Sequence, residues 1–354
     1  MENNNSIRIK DIELKSKFFF APINTGLALN GNPTDELISF HSLRSNEYTG
    51  INYVGNVAID IETITNKNTL FINSSMEKYS ALASEIKKKG SVAGVQIACF
   101  KSKFQAQRNW KNTLPNDYIE FMKTEVKKLS LSNIKEVIKS FQNGIRKLVE
   151  LGFEAIQIHG AHGYFLNNFL SETFNSRTDE FGKDRTLILK EILYGVDSLL
   201  GQIIVDLRIS VFEGSFETEL TSKQFFFLES IYKVAGIDII SVSNGIYNLD
   251  KKLIYPVKTK GTSFMLEILS DFIRTHDEKI WNLSGNVRNI SELKEQNNGV
   301  TFSIGRSIIA DPDFLKKHFE NRTQEIIECD FKNKCHYFTL QKEFIECGVN
   351  KQLY

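Results

Sequence analysis

Eight short apolar, β-rich segments recur along this chain, at residues 17–22, 51–57, 91–97, 155–158, 203–208, 237–243, 279–284 and 299–305. What lies between them is mostly helical in pattern. Such a march constrains the fold strongly, because strands joined through helices pair in parallel and a parallel sheet needs both faces covered. Residues 76–89 end on a lysine-rich turn that suits a helix C-terminus. Between residues 132 and 151, Ile134, Val137, Ile138, Phe141, Ile145, Leu148 and Val149 recur at helical spacing, and Gly152 supplies a stop. Eight such strands predict closure into a single (β/α)8 barrel, the TIM-barrel form of the α/β class. The alternative is an open doubly wound sheet, but the dinucleotide glycine fingerprint that favours it is absent after the first strand. With only 5 Pro and no Gly/Ser-rich run, nothing reads as a linker. The expectation is one domain over residues 1–354 with loop insertions: a barrel proper at about 14–325 and a short C-terminal extension, 326–354.

The strand exits carry the functional signal. Most finish in polar or glycine positions: Asn24, Asn56, Gln96, His159, Arg208, Ser243, Gly285 and the pair Gly305-Arg306. Each alone reads as a turn residue. Together they would converge on the C-terminal face of a barrel, where barrel active sites lie. The densest exit is His159-Gly160-Ala161-His162-Gly163-Tyr164, with two imidazoles and a phenol in close succession. Imidazoles donate hydrogen bonds near neutral pH, and a phenol with a pKa of ~10 is a proton source there. A solvated turn and a metal site are the competing readings. No Cys or carboxylate stands at ligand spacing beside the pair, so a substrate pocket is preferred and no metal is expected. Gly305-Arg306-Ser307 closes the last strand and opens a helical stretch, and Gly285-Asn286 offers a second glycine turn. Exposed backbone N–H groups and a guanidinium at that place predict a phosphate site.

Lys+Arg 44 against Asp+Glu 43 gives no basic surplus, so neither nucleic acid nor an anionic membrane is an expected partner. The N-terminus has no apolar core and no long apolar run follows, which predicts a cytoplasmic protein. Cys99, Cys329, Cys335 and Cys347 contain no Cys-x-x-Cys pair; free thiols are expected rather than a local four-thiolate cluster. The oligomeric state, a homo-oligomer included, is left open.

The block from His159 to Ser171, continuing through Asn175-Ser176-Arg177-Thr178-Asp179, resembles the old yellow enzyme family of FMN-dependent ene-reductases and NAD(P)H:flavin oxidoreductases. Few other families combine paired histidines, Gly-Tyr and Arg-Thr-Asp. The likeness runs in the family's order from about Leu14 to Phe314. It implies that Ala21, Pro22, Ile23, Asn24 and Asn56 lie along the isoalloxazine ring and that Gln96 bonds its pyrimidine edge. It implies Arg208 beside the edge where reduced flavin carries negative charge, and Gly285, Asn286, Gly305 and Arg306 on the FMN phosphate. His159 and His162 would bind the oxygen of an activated alkene, an enone or a nitroalkene, and Tyr164 would donate the proton. NADH or NADPH would be the reductant.

This chain departs from the pattern in places. After Gln96 it reads Ile97-Ala98-Cys99-Phe100-Lys101-Ser102 where the family often has His-x-Gly-Arg, which implies an altered substrate-side loop. Asn24 stands where many members carry Thr or Cys, and Phe181-Gly182-Lys183-Asp184-Arg185 shortens another loop. Cys335 and Cys347 read as the remnant of an iron–sulfur segment found in longer members. These departures motivate two other readings: a catalytically retired flavin-binding barrel kept as an interaction module, and an FMN barrel acting on RNA. Retention of His159, His162, Tyr164 and Arg208 together speaks against the first, and the near-neutral charge against the second.

Overall fold

The computed structural model describes residues 6–101, 115–215, 217–256, 262–287, 290–294 and 299–354. Eight parallel strands form the barrel: β1 (Phe18–Phe20), β2 (Ile51–Ala58), β3 (Val92–Ala98), β4 (Ala155–Gly160), β5 (Ile204–Ser210), β6 (Ile239–Ser243), β7 (Ile280–Ser284) and β8 (Val300–Ile304). Each pairs with its sequence neighbours. Closure comes from Phe18, Phe19 and Phe20 of β1, which lie opposite Phe302, Ser303 and Ile304 of β8, while Phe20 also faces Asn52 of β2. All eight expected strands are present, with every end shifted by at most two residues.

The helices follow from amphipathic spacing and capping. Helix α1 (Asp35–Leu43) is capped by Thr34, α2 (Tyr79–Lys88) ends in its lysines, and α3 (Leu131–Glu150) is capped by Ser130. Helix α3 buries Ile134, Val137, Ile138, Phe141, Ile145 and Leu148, the face its sequence spacing predicts. It stops where Gly152 takes a φ of +96°, a conformation that costs a side chain dearly. Helices α4 (Leu187–Tyr194), α5 (Ser222–Tyr232) and α6 (Thr262–Thr275) cover later strands. The short α7 (Arg306–Ala310) leaves β8 directly.

The barrel interior changes character along its axis. At the N-terminal end, Phe19, Ile51, Tyr53, Ala155, Ile204 and Ile239 pack together. A hairpin (Ile7–Ile9 with Ile12–Leu14), which the sequence pattern did not reveal, places Ile9 and Leu14 in the same cluster and seals that end. One layer higher the interior turns polar, with Gln96, Gln157, Asp206, Ser241, Asn282 and Ser303 all buried. Outward-facing residues of the same strands, such as Ile156, Ile158, Val205 and Leu207, join the larger core under the helices. Burial there drives closure, and the polar interior leaves chemistry at the other end. Among the described residues, no helix is long and apolar enough to cross a membrane.

Candidate active site

Strand alternation and register bring the polar exits together. Arg208 on β5 lies opposite His159 on β4 and Ser241 on β6, and Gln96 on β3 lies opposite Gln157 on β4. At the β4 exit the chain turns sharply: His162 and Gly163 take φ values of +64° and +83°. That turn is held by its own sequence. Gly163 N–H donates to Asn167 Oδ1 at 2.7 Å, and Asn168 donates to the carbonyls of Gly163 and Tyr164 at 2.6 and 2.7 Å. Asn175 bonds Phe169 and Phe181 carbonyls, and Arg177 donates to Val126 and Leu129 carbonyls while pairing with Asp179. Asn167, Asn168, Asn175, Arg177 and Asp179 are therefore scaffold for the His-Tyr cluster.

The cluster itself is tight. The His159 ring centroid lies 5.1 Å from His162 and 5.3 Å from Tyr164, all edge to face. His159 Nδ1 accepts from Ala161 N–H at 3.2 Å, which puts its ring proton on Nε2. His162 Nε2 lies 2.8 Å from Ser243 Oγ, and that hydroxyl accepts from Arg208 at 3.3 Å. With Ser243 accepting from Arg208, its own proton can go to His162 Nε2, leaving the second ring proton on Nδ1. Burial first, and the Arg208 charge second, hold both imidazoles well below their usual pKa. They are neutral donors at neutral pH. Burial pushes Tyr164 well above the usual phenol value, so it keeps its proton.

Residues outside the expected set complete the pocket. Phe100 packs edge to face on Tyr164 at 4.2 Å, and Tyr247 lies 5.7 Å from Tyr164 and 6.0 Å from His162. The Tyr247 hydroxyl is 2.7 Å from that of Tyr255, whose ring lies 4.1 Å from His336. Tyr247 was findable, since it follows the β6 exit by a few residues. His336 lies in the C-terminal extension and had no sequence signal. The end of the altered segment after Gln96, Ser102, lies outside the described residues.

The remaining expected residues lie at the β1, β2, β7 and β8 exits. Ala21 N–H donates to Ile304 O at 2.9 Å, and the segment through Ile23 crosses Gly55 so closely that a Cβ there would sit 2.0 Å from Ile23 N. Asn56 is buried and its amide nitrogen has no partner among the described residues. Asn24 is differently employed. It donates to Thr65 and Thr69 and accepts from Gly26 N–H and Tyr337 OH, so its amide is committed to the protein. Gly285 and Asn286 form a turn with φ of +118° and +51°, and Gly305 caps α7. A Cβ on Gly305 would meet nothing nearer than Ile23 Cδ1 at 3.9 Å, so the protein leaves room there. Arg306 beside it donates to Asn333 Oδ1 at 3.2 Å and lies over the Phe331 ring.

These features fit FMN. Two buried donors without partners among the described residues, Arg208 Nε and Asn56 Nδ2, suit the carbonyl-rich edge of an isoalloxazine. The glycine turns at Gly285 and Gly305, with Arg306, suit a phosphate.

A barrel with neutral donors, a phenol and a half-buried guanidinium gathered on its C-terminal face is of the flavin-dependent oxidoreductase class. The profile of the NADH:flavin oxidoreductase / NADH oxidase family matches residues 5–325, and the chain belongs to that family. Membership brings FMN as cofactor and NAD(P)H as reductant. An NADPH dehydrogenase of Clostridium acetobutylicum is 27% identical over 321 residues, covering 87% of this chain and 91% of that protein. Another, from a Geobacillus species, is 36% identical over 183 residues; the match takes in 49% of this chain and 52% of that protein, about half its length. Among solved structures, an old yellow enzyme from Pichia sp. AKU4542 has a TM-score of 0.68 at 19% identity, covering 90% of this chain and 87% of that one. A 2-naphthoyl-CoA reductase has a TM-score of 0.83 at 17% identity, covering 99% of this chain and 57% of that one. At such identities the structural likeness speaks for the fold.

Proposed function

We propose that this protein is an ene-reductase that passes hydride from NAD(P)H to activated alkenes such as enones and nitroalkenes. The observation that carries this reading is the packing of two neutral imidazoles against one protonated phenol beside Arg208. FMN, when bound, supplies the two-electron carrier between nicotinamide and alkene. His159 Nε2–H and His162 Nδ1–H bind and polarise the alkene's carbonyl or nitro oxygen, which makes its β-carbon electrophilic. Their neutrality leaves the oxygen hydrogen-bonded rather than protonated. Tyr164 gives its hydroxyl proton to the α-carbon, and burial keeps that proton in place until then. Arg208 offsets negative charge on the reduced cofactor in a poorly hydrated mouth. Phe100, Tyr247 and Tyr255 wall the pocket and exclude water.

Purified protein should be yellow, release FMN rather than FAD, and bleach anaerobically on addition of NADH or NADPH. Tyr164→Phe should keep that bleaching while enone-driven reoxidation slows by roughly 10²–10⁴-fold. Colourless protein that cannot be reconstituted with FMN would defeat the cofactor assignment. Reoxidation of the variant at the wild-type rate would make Tyr164 a packing residue.

A further inference from the structure

A hydrogen-bonded chain with a fixed direction crosses the barrel beneath the candidate site. Gln96 Nε2 donates to Gln157 Oε1 at 2.6 Å, and Gln157 Nε2 donates to Asp206 Oδ2 at 2.6 Å. Tyr53 OH and Ser241 Oγ donate to the same Asp206 oxygen at 2.8 and 2.9 Å. All five side chains are at least nine-tenths buried. On the other side, Asn282 Nδ2 donates to Ser241 Oγ at 2.7 Å, so that arm also runs toward Asp206.

An amide can present either its carbonyl or its NH2, and the two differ only by rotation about one bond. Here the choice is removed at each step. A carboxylate accepts and cannot donate, so Gln157 must turn its NH2 to Asp206. Its carbonyl then faces Gln96, which must turn its own NH2 downward. The Gln96 carbonyl is left over, and no described residue donates to it. The flavin pyrimidine edge has one imide N–H, N3–H, between two carbonyls, so a carbonyl partner is complementary to the N–H and an NH2 is not.

We propose that Asp206 is a positioning residue which, through Gln157, fixes the Gln96 amide with its carbonyl toward the N3–H of bound FMN. The assignment rests on the reading that Gln96 meets the flavin edge. It requires an acceptor oxygen at position 206, not a charge. Three donors converge on Oδ2, so an Asn carbonyl would be drawn to the same place.

The test is the N3–H resonance in a ¹H–¹⁵N correlation spectrum of holoenzyme reconstituted with FMN labelled at N3. Wild type and Asp206→Asn should share a protected, downfield N3–H signal. Asp206→Leu, which removes the acceptor, and Gln157→Met, which breaks the chain but leaves Asp206 its other donors, should move it upfield or lose it to exchange. Their FMN Kd should rise about tenfold, the scale of one hydrogen bond. Should Asp206→Leu not fold, Gln157→Met carries the test alone. Gln96→Leu separates the two levels. If it shifts the signal while Gln157→Met and Asp206→Leu leave it unchanged, the positioning role is overturned and Gln96 keeps its place. If Gln96→Leu leaves the signal unchanged, the placement of Gln96 on the flavin fails, and the proposal with it.

Discussion

Arg208 is the residue on which the electrostatics of the mouth turn. It is half-buried, its Nε has no partner among the described residues, and its charge adds to burial in keeping His159 and His162 neutral. If it compensates charge on the reduced cofactor, Arg208→Met should lower the midpoint potential of bound FMN by about 30 mV or more, a tenfold change in a two-electron equilibrium. A spectroelectrochemical titration reads this, and an unchanged potential at full occupancy would remove Arg208 from the role. Asp206, two residues earlier, pays a cost of its own. Burial outweighs its donors and the Arg208 charge and raises its pKa to about 6. An acid raised in the folded state binds more protons folded than unfolded, so its contribution is most favourable below the unfolded value. That contribution is lost as pH rises toward the folded one. Asp206→Asn has no such titration. Its stability relative to wild type should therefore improve by about 2 kcal/mol between pH 4 and pH 6 and level off above about pH 7. Denaturant unfolding across that range measures it, and parallel curves would show that Asp206 titrates normally.

Among the elements, the β1 exit and the C-terminal extension are bound to one another. Tyr337 OH reaches Asn24, Ile345 N–H donates to Thr25 O at 2.7 Å, and Arg306 is held by Asn333. Buried Arg44 ties α1 to the same region, donating to the carbonyls of Phe40, Ile308, Ile309 and Leu353. Residues of the extension 326–354 thus hold the β1 exit, Arg306 and α1. The exit segment at Ala21–Ile23 depends equally on what it crosses. A Cβ on Gly55 would sit 2.0 Å from Ile23 N, whereas one on Gly201 would meet nothing within 4 Å. Gly55→Ala should therefore cost about 1–3 kcal/mol and loosen the flavin, while Gly201→Ala serves as the neutral control. Thermal unfolding together with flavin occupancy decides between displaced backbone and tolerance.

Across the whole molecule, apolar packing closes one end of the barrel and polar groups crowd the other. Buried donors at the polar end are a cost that a bound ligand offsets. FMN at a free concentration 100 times its Kd should stabilise the fold by about 2.7 kcal/mol, seen as a concentration-dependent rise in Tm. Riboflavin, which lacks the phosphate, should give a smaller rise at equal concentration if Gly285, Asn286, Gly305 and Arg306 hold that group. Equal shifts from the two would place the phosphate elsewhere.

Strand identity, barrel class and the His159, His162 and Tyr164 cluster were legible in the sequence because each rests on local periodicity or on a contiguous turn. Gly152 as a helix stop is of the same kind. The polar exits were legible too, since parallel strands must all deliver their C-terminal ends to one face. Their employment was not. The family resemblance implies that Asn24 lines the flavin, yet its amide is taken up by Thr65, Thr69, Gly26 and Tyr337, partners scattered from position 26 to position 337. The direction of the Gln96 amide is fixed by Gln157 and Asp206 on the next two strands, and only the parallel pairing of those strands sets the side chains in register. His336 joins Tyr255 because the extension folds back across the mouth. Periodicity and turn chemistry act over a few residues, so they appear in the sequence. Hydrogen-bond partners across strands are chosen by register and packing, and those exist only in the closed fold.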